Sequence, residues 1–362
     1  MKVKVKREDL IEAIQTLQNV ISPRVTLPVL ANFLLETQKD ALHMVATDLE
    51  IGISKSIPAE IQEEGKITVP AKRFSEIIKE LSPENEINIA VKKNNSIHLT
   101  YGSSFFKLMG IPAEEFPKIP KIEKEEDLIL NQKELKNMLE LTIFAVSREE
   151  ARYVLNGIFF DLKEQTLNLV ATDGRRLSLV TKNLEKSNPL QMIVPLKTVQ
   201  ELNRLLKEEG EVKIIQSENQ VCFKLDETLI ISRLLEGNFP DYQQVIPEEK
   251  RIKLKIKKEP LLQAIRRVSL FTTAESISIK IEVFKDKMVI SKIVPEIGEA
   301  REELPIEYAG KELAIGFNPY YLIDVLKNIK EEEIPLELED VDKPGVIRLA
   351  NFIHIVLPMQ LV

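Results

Sequence analysis

Apolar residues recur with helical spacing in six separate stretches of this chain. In the first stretch, Leu10, Ile14 and Leu17 fall on one side of a helix, with polar residues between them. Asn131 precedes the third stretch and Asn318 the sixth, each at a position suited to a helix N-cap. The pattern predicts helices over residues 6–20, 70–81, 132–142, 195–207, 257–268 and 318–330.

Short apolar segments separated by turn-forming residues fill the chain between these helices. Residues 157–162, 166–173 and 177–182 are three such segments in a row, each rich in Leu, Val, Ile or Phe. Segments of this length and composition are typical of strands. The sequence therefore predicts meanders of strands between the helices.

The sequence also repeats itself at a constant spacing. The tripeptide Ala-Thr-Asp ends at Asp48 and again at Asp173, which is 125 positions later. Leu10 and Leu135 share this offset, as do other apolar positions, which indicates a duplicated domain. A third unit is more diverged, but its last helix takes the place of the helix predicted over 195–207. We therefore predict an α+β fold of three tandem units, each with two helices and antiparallel sheets, over residues 1–121, 127–246 and 251–362.

Composition limits the compartment and the class of protein. The 362 residues are 44% hydrophobic and 30% charged, and no apolar run approaches the ~20 residues needed to span a membrane. Cys222 is the single cysteine, so an internal disulfide cannot form and a reducing compartment is favoured. We expect a cytoplasmic protein without membrane contact.

The usual sequence signatures of catalysis and cofactor binding are missing. His43, His98 and His354 lie in strand-like segments, and no two have the spacing of metal ligands. The chain has no glycine-rich phosphate loop and no nucleophile elbow. Asp48 and Asp173 lie where a strand turns, a position that Asp favours because its side chain bonds the adjacent backbone. We predict no metal, no cofactor and no catalytic residue, and hence a binding or scaffolding role.

Charge is distributed unevenly along the chain. The formal net charge is -7, yet the six predicted helices together carry a net positive charge. Lys and Arg are good helix formers, which accounts for part of this bias. The functional interpretation is that the helices share a face that meets a polyanion, since phosphate contacts from Lys and Arg need no base sequence.

Several motifs resemble one family, the bacterial DNA polymerase III beta subunits, which are sliding clamps. They occur in order through all three units: LPVL near residue 27, VPAKRF (69–74), RYVLNG (152–157), ATDGRRL (171–177), VPLK (194–197), GNFPDY (237–242), GFNPYY (316–321) and the terminal LPM (357–359). The resemblance implies the DNA-clamp fold in each unit. It also implies that two subunits close a six-domain ring, with helices lining a central hole and sheets forming the outer wall.

The resemblance further implies a function without catalysis. A ring around duplex DNA cannot dissociate without opening, so a polymerase tethered to it stays on its template. The implied location is cytoplasmic and nucleoid-associated. The implied partners are double-stranded DNA bound independently of sequence, a second copy of the chain, the DNA polymerase III catalytic subunit, an ATP-driven clamp loader, and other polymerases and repair proteins that carry a short clamp-binding peptide.

Two sets of site residues follow. For the surface facing DNA, the resemblance implies Arg24, Arg73, Arg152, Tyr153 and Lys197, and the helix pattern adds Lys72, Arg148, Arg204 and Arg266. For an apolar pocket between the second and third units that binds partner peptides, the resemblance implies Leu155, Thr172, Gly174, Arg175, Arg176, Leu177, Pro240, Val245, Asn318, Tyr321, Val346, Leu357, Pro358 and Met359.

A third set would close the ring between subunits. The resemblance places an apolar patch at the end of the first unit against the third unit of the partner, with an acidic side, and the residues are Phe106, Lys107, Leu108, Leu270, Phe271, Glu299, Glu302 and Glu303. The family often has arginines before the Phe106 position, where this chain has Ser103 and Phe105. We therefore predict an interface that is more apolar and less sensitive to salt than is usual in the family.

Two other functional classes stay open at this point. The first is a nuclease or hydrolase that uses the carboxylates of Asp48 or Asp173. The second is an adaptor that binds peptides through the apolar C-terminal pocket and does not encircle DNA. Retention on circular but not linear DNA distinguishes the clamp from the adaptor.

Overall fold

The computed structural model describes residues 1–21, 27–84, 86–120, 125–185, 188–249 and 253–361. The chain divides into two compact units. Unit 1 contains Met1–Leu135 and Gln200–Leu234, and unit 2 contains Lys136–Val199 and Leu235–Val362.

Six α-helices occur among the described residues, one at each predicted place. Asn131 accepts the backbone N–H of Lys133 at 3.0 Å, and Asn318 accepts that of Tyr320 at 3.0 Å, so both predicted caps are confirmed. The helices are α1 (Arg7–Leu17), α2 (Ala71–Glu80), α3 (Gln132–Glu140), α4 (Leu196–Leu205), α5 (Lys258–Ser269) and α6 (Pro319–Asn328).

The strands between the helices are short and pair antiparallel, which confirms the α+β prediction. In chain order they are β1 (Lys2–Lys6), β2 (Asn32–Gln38), β3 (Ala41–Thr47), β4 (Ile51–Pro58), β5 (Glu60–Glu63), β6 (Lys66–Pro70), β7 (Glu86–Val91), β8 (Ser96–Tyr101), β9 (Ser104–Met109), β10 (Leu128–Asn131), β11 (Gly157–Lys163), β12 (Thr166–Thr172), β13 (Arg176–Asn183), β14 (Leu190–Pro195), β15 (Glu211–Gln216), β16 (Gln220–Leu225), β17 (Thr228–Arg233), β18 (Leu254–Lys257), β19 (Ile279–Val283), β20 (Lys287–Val294), β21 (Gly298–Pro305), β22 (Leu313–Phe317), β23 (Glu333–Glu337), β24 (Gly345–Leu349) and β25 (Phe352–Val356).

Two eight-stranded sheets join successive sequence repeats. In unit 1 the order is β10-β15-β16-β17-β4-β3-β2-β6, where the pairing of β17 with β4 joins the second repeat to the first. In unit 2 the order is β14-β11-β12-β13-β25-β24-β23-β18, where the pairing of β13 with β25 joins the second repeat to the third. The same pair of strand positions therefore forms both junctions between repeats.

Each of the two smaller sheets ends at a strand that corresponds to one of the junction strands. Among the described residues, this edge strand has no strand partner on its outer side. Unit 1 has a five-stranded sheet in the order β5-β1-β7-β8-β9, and β9 takes the place that β17 has in the second repeat. Unit 2 has a four-stranded sheet in the order β21-β20-β19-β22, and β21 takes the place of β4. An edge strand presents unpaired backbone N–H and C=O groups, so each unit carries one open half of the repeated junction.

Apolar side chains of the helices and sheets form the cores. Phe33 and Phe74 are fully buried in unit 1, and Phe160, Phe317 and Phe352 are fully buried in unit 2. Among the described residues, no helix is long and apolar enough to cross a membrane.

Candidate functional site

A cavity of about 210 Å³ lies in unit 2, beside the junction of β13 with β25. Its lining is mainly apolar, and Arg175, Arg176 and Asp241 are its charged members. Nine of the residues predicted for the peptide pocket line it: Leu155, Thr172, Gly174, Arg175, Arg176, Leu177, Pro240, Val245 and Leu357. Sequence positions up to 202 residues apart, Leu155 and Leu357, therefore meet at one site.

The other five predicted pocket residues do not line this cavity, but two of them, Val346 and Tyr321, contact residues that do. Val346 packs beneath it in a buried cluster with Leu177 and Ile355. Asn318 caps α6, and the ring of Tyr321 lies 4.5 Å from the guanidinium carbon of Arg176. The remaining two belong to the tail after β25, where the half-buried Pro358 precedes Met359, whose N–H donates to the carbonyl of Gly316 at 2.8 Å.

Arg176 lines the cavity and connects several segments around it. Its side chain is only 10% exposed, and Nη1 donates to Asp324 at 2.7 Å while Nε donates to Asp173 at 3.1 Å. Nη2 donates to the carbonyl of Phe144. Burial and the nearby Asp173 carboxylate raise the pKa of Tyr321 above its usual value. Arg176 therefore joins β13, α6 and the segment at Phe144 into one rigid wall.

A neutral histidine lies behind this wall. His354 is fully buried, and its Nδ1 lies 2.8 Å from the hydroxyl of Ser178 on the neighbouring strand. Burial, followed by the positive charge of Arg176, lowers the pKa of His354 to about 3. The ring of His354 is therefore uncharged near pH 7, and it packs within the fold.

The GNFPDY motif closes the other side of the cavity. Its last residue, Tyr242, is buried and donates its hydroxyl to Asp161 at 2.9 Å. Burial, with the bond to Asp161, raises the pKa of Tyr242 to about 12. The ring of Phe239 stacks on Phe159 with centroids 4.9 Å apart. These contacts fix the loop that presents Pro240 to the cavity.

The two aspartates at the strand turns bond backbone, as the sequence predicts. Oδ1 of Asp48 accepts the N–H groups of Glu50 and Ile51, at 3.0 and 2.9 Å. Oδ1 of Asp173 accepts the N–H groups of Arg175 and Arg176, at 2.9 and 3.0 Å. Within the described parts of the chain, no cluster of three or more His, Cys, Asp or Glu residues is arranged to hold a metal ion. Both carboxylates are thus engaged in turn formation.

The residues predicted to face DNA fall into two groups. Lys72 and Arg73 on α2 and Lys197 on α4 are exposed on helices, and Arg73 pairs with Glu76 at 2.8 Å. Arg266 on α5 is half-buried and Arg148 is exposed. Arg24 lies outside the described residues.

The other three have structural contacts or stand apart from the helices. Arg204 donates to Glu201 at 2.7 Å and to the carbonyls of Gln15 and Thr16 at the end of α1, so it links two helices within unit 1. Arg152 pairs with Glu149 at 3.1 Å and donates to the carbonyl of Asp173. Tyr153 is 54% exposed.

The predicted interface residues lie on the two open edges and beside them. On β9, Phe106 and Leu108 are half-buried and stand opposite Leu99 and Ile97, which belong to the core. Lys107 is exposed on the other face. Near β21, Leu270 is 78% exposed at the end of α5 and Phe271 is half-buried.

The acidic side of the same edge is largely paired within the chain. Glu302 binds Arg267 at 2.7 Å, and Glu303 binds Arg301 at 2.6 Å and Lys287 at 3.2 Å. These cations lower the pKa of both carboxyls. Glu299 is exposed on β21.

Known proteins match the chain from end to end. The N-terminal, central and C-terminal domains of the DNA polymerase III beta subunit match residues 1–120, 129–241 and 243–360. The chain belongs to the DNA polymerase III beta subunit family. The resemblance and the three clamp domains that it implied are therefore confirmed.

Individual members of the family agree in length and in fold. The beta sliding clamp of Chlamydia pneumoniae is 35% identical over all of this chain and 99% of its own length. The crystal structure of the DNA polymerase III subunit beta from Pseudomonas aeruginosa is 32% identical, with a TM-score of 0.95 and complete coverage of both chains. The sliding clamp of Bacillus subtilis is 30% identical, with the same TM-score and coverage.

Sequence reasoning missed four residues of the cavity. Phe239, Asp241, Tyr242 and Ile355 also line it. The first three belong to the GNFPDY motif, from which the resemblance implied only Pro240. Ile355 is two positions before Leu357, and alternate residues of a strand share a face, so that spacing was the available signal.

Proposed function

We propose that this chain is a sliding clamp, in which two copies close a ring around duplex DNA and tether the replicative polymerase. The family is that of an accessory subunit without catalysis, and its relatives are named beta sliding clamps. One observation supports the ring: each unit has, at the edge of its smaller sheet, one unpaired half of the strand junction that the chain uses twice internally. Pairing β9 with β21 of a second copy would repeat that junction.

The internal junctions also predict the register across the proposed interface. In unit 1, Ile230 of β17 lies opposite Ile53 of β4, and Ile231 lies opposite Gly52. Transferring this register places Phe106 opposite Ala300 of the partner subunit. It places Lys107 opposite Glu299 of the partner subunit, a favourable pairing of charges.

The exposed apolar residues support this proposal. Phe105 and Met109 are 58% and 56% exposed on β9, and Leu270 and Ile297 are 78% and 53% exposed at the other edge. Such residues at a sheet edge invite pairing with another chain. Because Glu302 and Glu303 are already paired within the chain, we keep the prediction of a weakly salt-sensitive interface.

The basic helices would provide the contact with DNA. Lys72, Arg73, Lys197, Arg266 and Arg148 are the candidates whose side chains are exposed or half-buried on helices or next to them, with Tyr153 as an exposed ring. Contacts from these cations to phosphates are independent of sequence. We assign Arg204 and Arg152 smaller shares, because their guanidinium groups are engaged within the fold.

The cavity beside β13 and β25 would bind the clamp-binding peptides of partners. Its apolar lining suits leucine-like side chains, and Arg175 and Arg176 give it a planar polar rim. The proposed occupants are the DNA polymerase III catalytic subunit, the ATP-driven loader, and other polymerases and repair proteins. We also propose a cytoplasmic location and domain limits of 1–121, 127–246 and 251–362.

Topology provides the decisive test. With a clamp loader and ATP, the full chain should stay on a nicked circular plasmid during gel filtration and should leave once the plasmid is made linear. The mass in solution, by light scattering, should be about 83 kDa, twice the 41.4 kDa of one chain. Equal retention on circular and linear DNA would refute encirclement, and a strict monomer at micromolar concentration would favour the adaptor.

A further inference from the structure

A second cavity, of about 200 Å³, occupies the equivalent place at the other internal junction, beside β4 and β17 in unit 1. The backbone register around the two cavities matches. The N–H of Arg233 donates to the carbonyl of Glu50 at 3.0 Å, and the N–H of Leu357 donates to that of Arg175 at 2.9 Å. We call the first cavity the Leu357 pocket and the second the Arg233 groove.

The floor of the Arg233 groove is formed by Gly52, Ile119 and Ile231. In the Arg233 groove, Gly52 on β4 lies opposite Ile231 on β17. The equivalent pair in the Leu357 pocket is Leu177 on β13 and Ile355 on β25. Ile119 reaches the space above Gly52 and approaches within 3.0 Å of where a Cβ would stand. Ile119 thus takes the part that Tyr242 plays in the Leu357 pocket, with a smaller side chain.

Charges at the rim of the groove are arranged differently from those of the Leu357 pocket. Arg233 replaces Leu357, Lys118 replaces Asp241 and Glu50 replaces Arg175. Arg233 and Lys118 are both exposed, and neither forms an ion pair with any residue that the structure describes. Two unpaired cations beside an apolar floor complement a carboxylate next to an apolar side chain.

A backbone outlier stands at the mouth of the same groove. Leu49 has φ of 79°, where the equivalent residue at the Leu357 pocket is Gly174 with φ of 83°. A left-handed backbone is unfavourable for leucine and easy for glycine. The Leu49 side chain is nevertheless 46% exposed and lines the groove. A strained residue that leaves an apolar side chain in solvent points to a binding role.

We propose that the Arg233 groove is a second docking site, which binds a partner peptide carrying an acidic residue next to a leucine. The carboxylate pairs with Arg233 and Lys118, and the leucine lies between Leu49, Ile119 and Ile231. The site goes beyond the clamp function, because it lies at the other internal junction and its charged rim residues differ from those of the Leu357 pocket. One chain could then hold two classes of partner at once.

A labelled peptide of defined sequence tests the proposal. The probe is fluorescein-Gly-Glu-Leu-Leu-Ser-Gly-amide, with a second peptide that has Lys in place of Glu, titrated with the full chain and followed by anisotropy. Arg233→Glu should weaken binding of the first peptide by roughly tenfold or more. The wild-type chain should bind the Lys peptide more weakly than the Glu peptide, by a similar factor. Leu49→Gly should weaken binding roughly threefold while the midpoint of urea unfolding stays equal or rises, since glycine relieves the backbone strain.

Two control variants show whether the peptide binds in the groove or elsewhere on the chain. Lys224→Glu changes an exposed charge on the neighbouring strand β16 and should not affect this peptide. The Leu357 pocket also suits leucine-like side chains, so Leu357→Ala should remove only binding at that pocket and leave the Arg233-dependent binding unchanged. Any of three results overturns the proposal. The first is no saturable binding up to about 1 mM peptide, and the second is binding that is lost in Leu357→Ala but kept in Arg233→Glu. The third is an equal loss of affinity in Lys224→Glu and Arg233→Glu.

Discussion

Replacement of His354 by Asn should remove a defined part of the acid sensitivity of the fold. The imidazole is fully buried, Nδ1 bonds the hydroxyl of Ser178, and Nε2 has no hydrogen-bond partner among the described residues. Phe144 and Phe352 pack against the ring, and Arg176 is the nearby charge that lowers its pKa. A protonated ring would therefore be desolvated and would face a cation.

The sign and size of the effect follow from proton linkage. Burial lowers the pKa of His354 to about 3 in the folded chain, against about 6.5 for an unperturbed histidine. Between these values only the unfolded chain binds the proton, so stability falls as the pH falls, by about 1.4 kcal/mol per pH unit. Between pH 7 and pH 5 the histidine should cost about 2 kcal/mol. This figure holds for any folded-state pKa well below 5.

The assay is urea denaturation followed by far-UV circular dichroism at pH 7 and pH 5. His354→Asn should lose about 2 kcal/mol less than wild type between the two pH values, since the carboxylates contribute equally to both proteins. Ile355→Val serves as the matched control, because it costs about 1 kcal/mol at either pH and should keep the wild-type pH dependence. If wild type and His354→Asn lose the same amount, the folded chain accommodates the protonated ring and the reasoning is wrong.

Three further changes test the pocket, the interface and the loop that closes the pocket. Arg176→Met should reduce the unfolding free energy by about 2 kcal/mol, a moderate value because the Asp324 side chain is 37% exposed. It should also weaken the binding of clamp-binding peptides. Urea titration measures the first effect and anisotropy the second, and unchanged values would show that the ion pair contributes nothing. Leu270→Asp, at a position 78% exposed, should give a folded 41.4 kDa monomer by light scattering, and a persistent dimer would contradict the proposed interface. Tyr242→Phe deletes the hydroxyl that binds Asp161 at 2.9 Å and should cost about 1–2 kcal/mol in urea; wild-type stability would mean that water replaces the bond.

The motifs in the sequence contain most of the predicted residues that line the cavity. Leu177 and Pro240 are predictable because ATDGRRL and GNFPDY contain them. Ile355 was missed because it stands outside those motifs, although it pairs directly with Leu177 across the sheet. Motifs identify residues one by one, whereas strand pairing decides which residues share a wall of the pocket.

The sequence by itself determined the helices, the caps and the repetition of the domain, because each depends on residues within a few positions or on a constant offset. It also predicted a non-catalytic α+β protein. The tertiary structure alone decided which contacts each arginine makes beyond its neighbours in sequence, since those partners are distant along the chain. Arg176 binds Asp324, Arg204 binds carbonyls of α1, and Arg233 stands without an ion-pair partner among the described residues. Composition and periodicity treat these three arginines alike, but only the fold sets the distance from each guanidinium to a carboxylate or carbonyl.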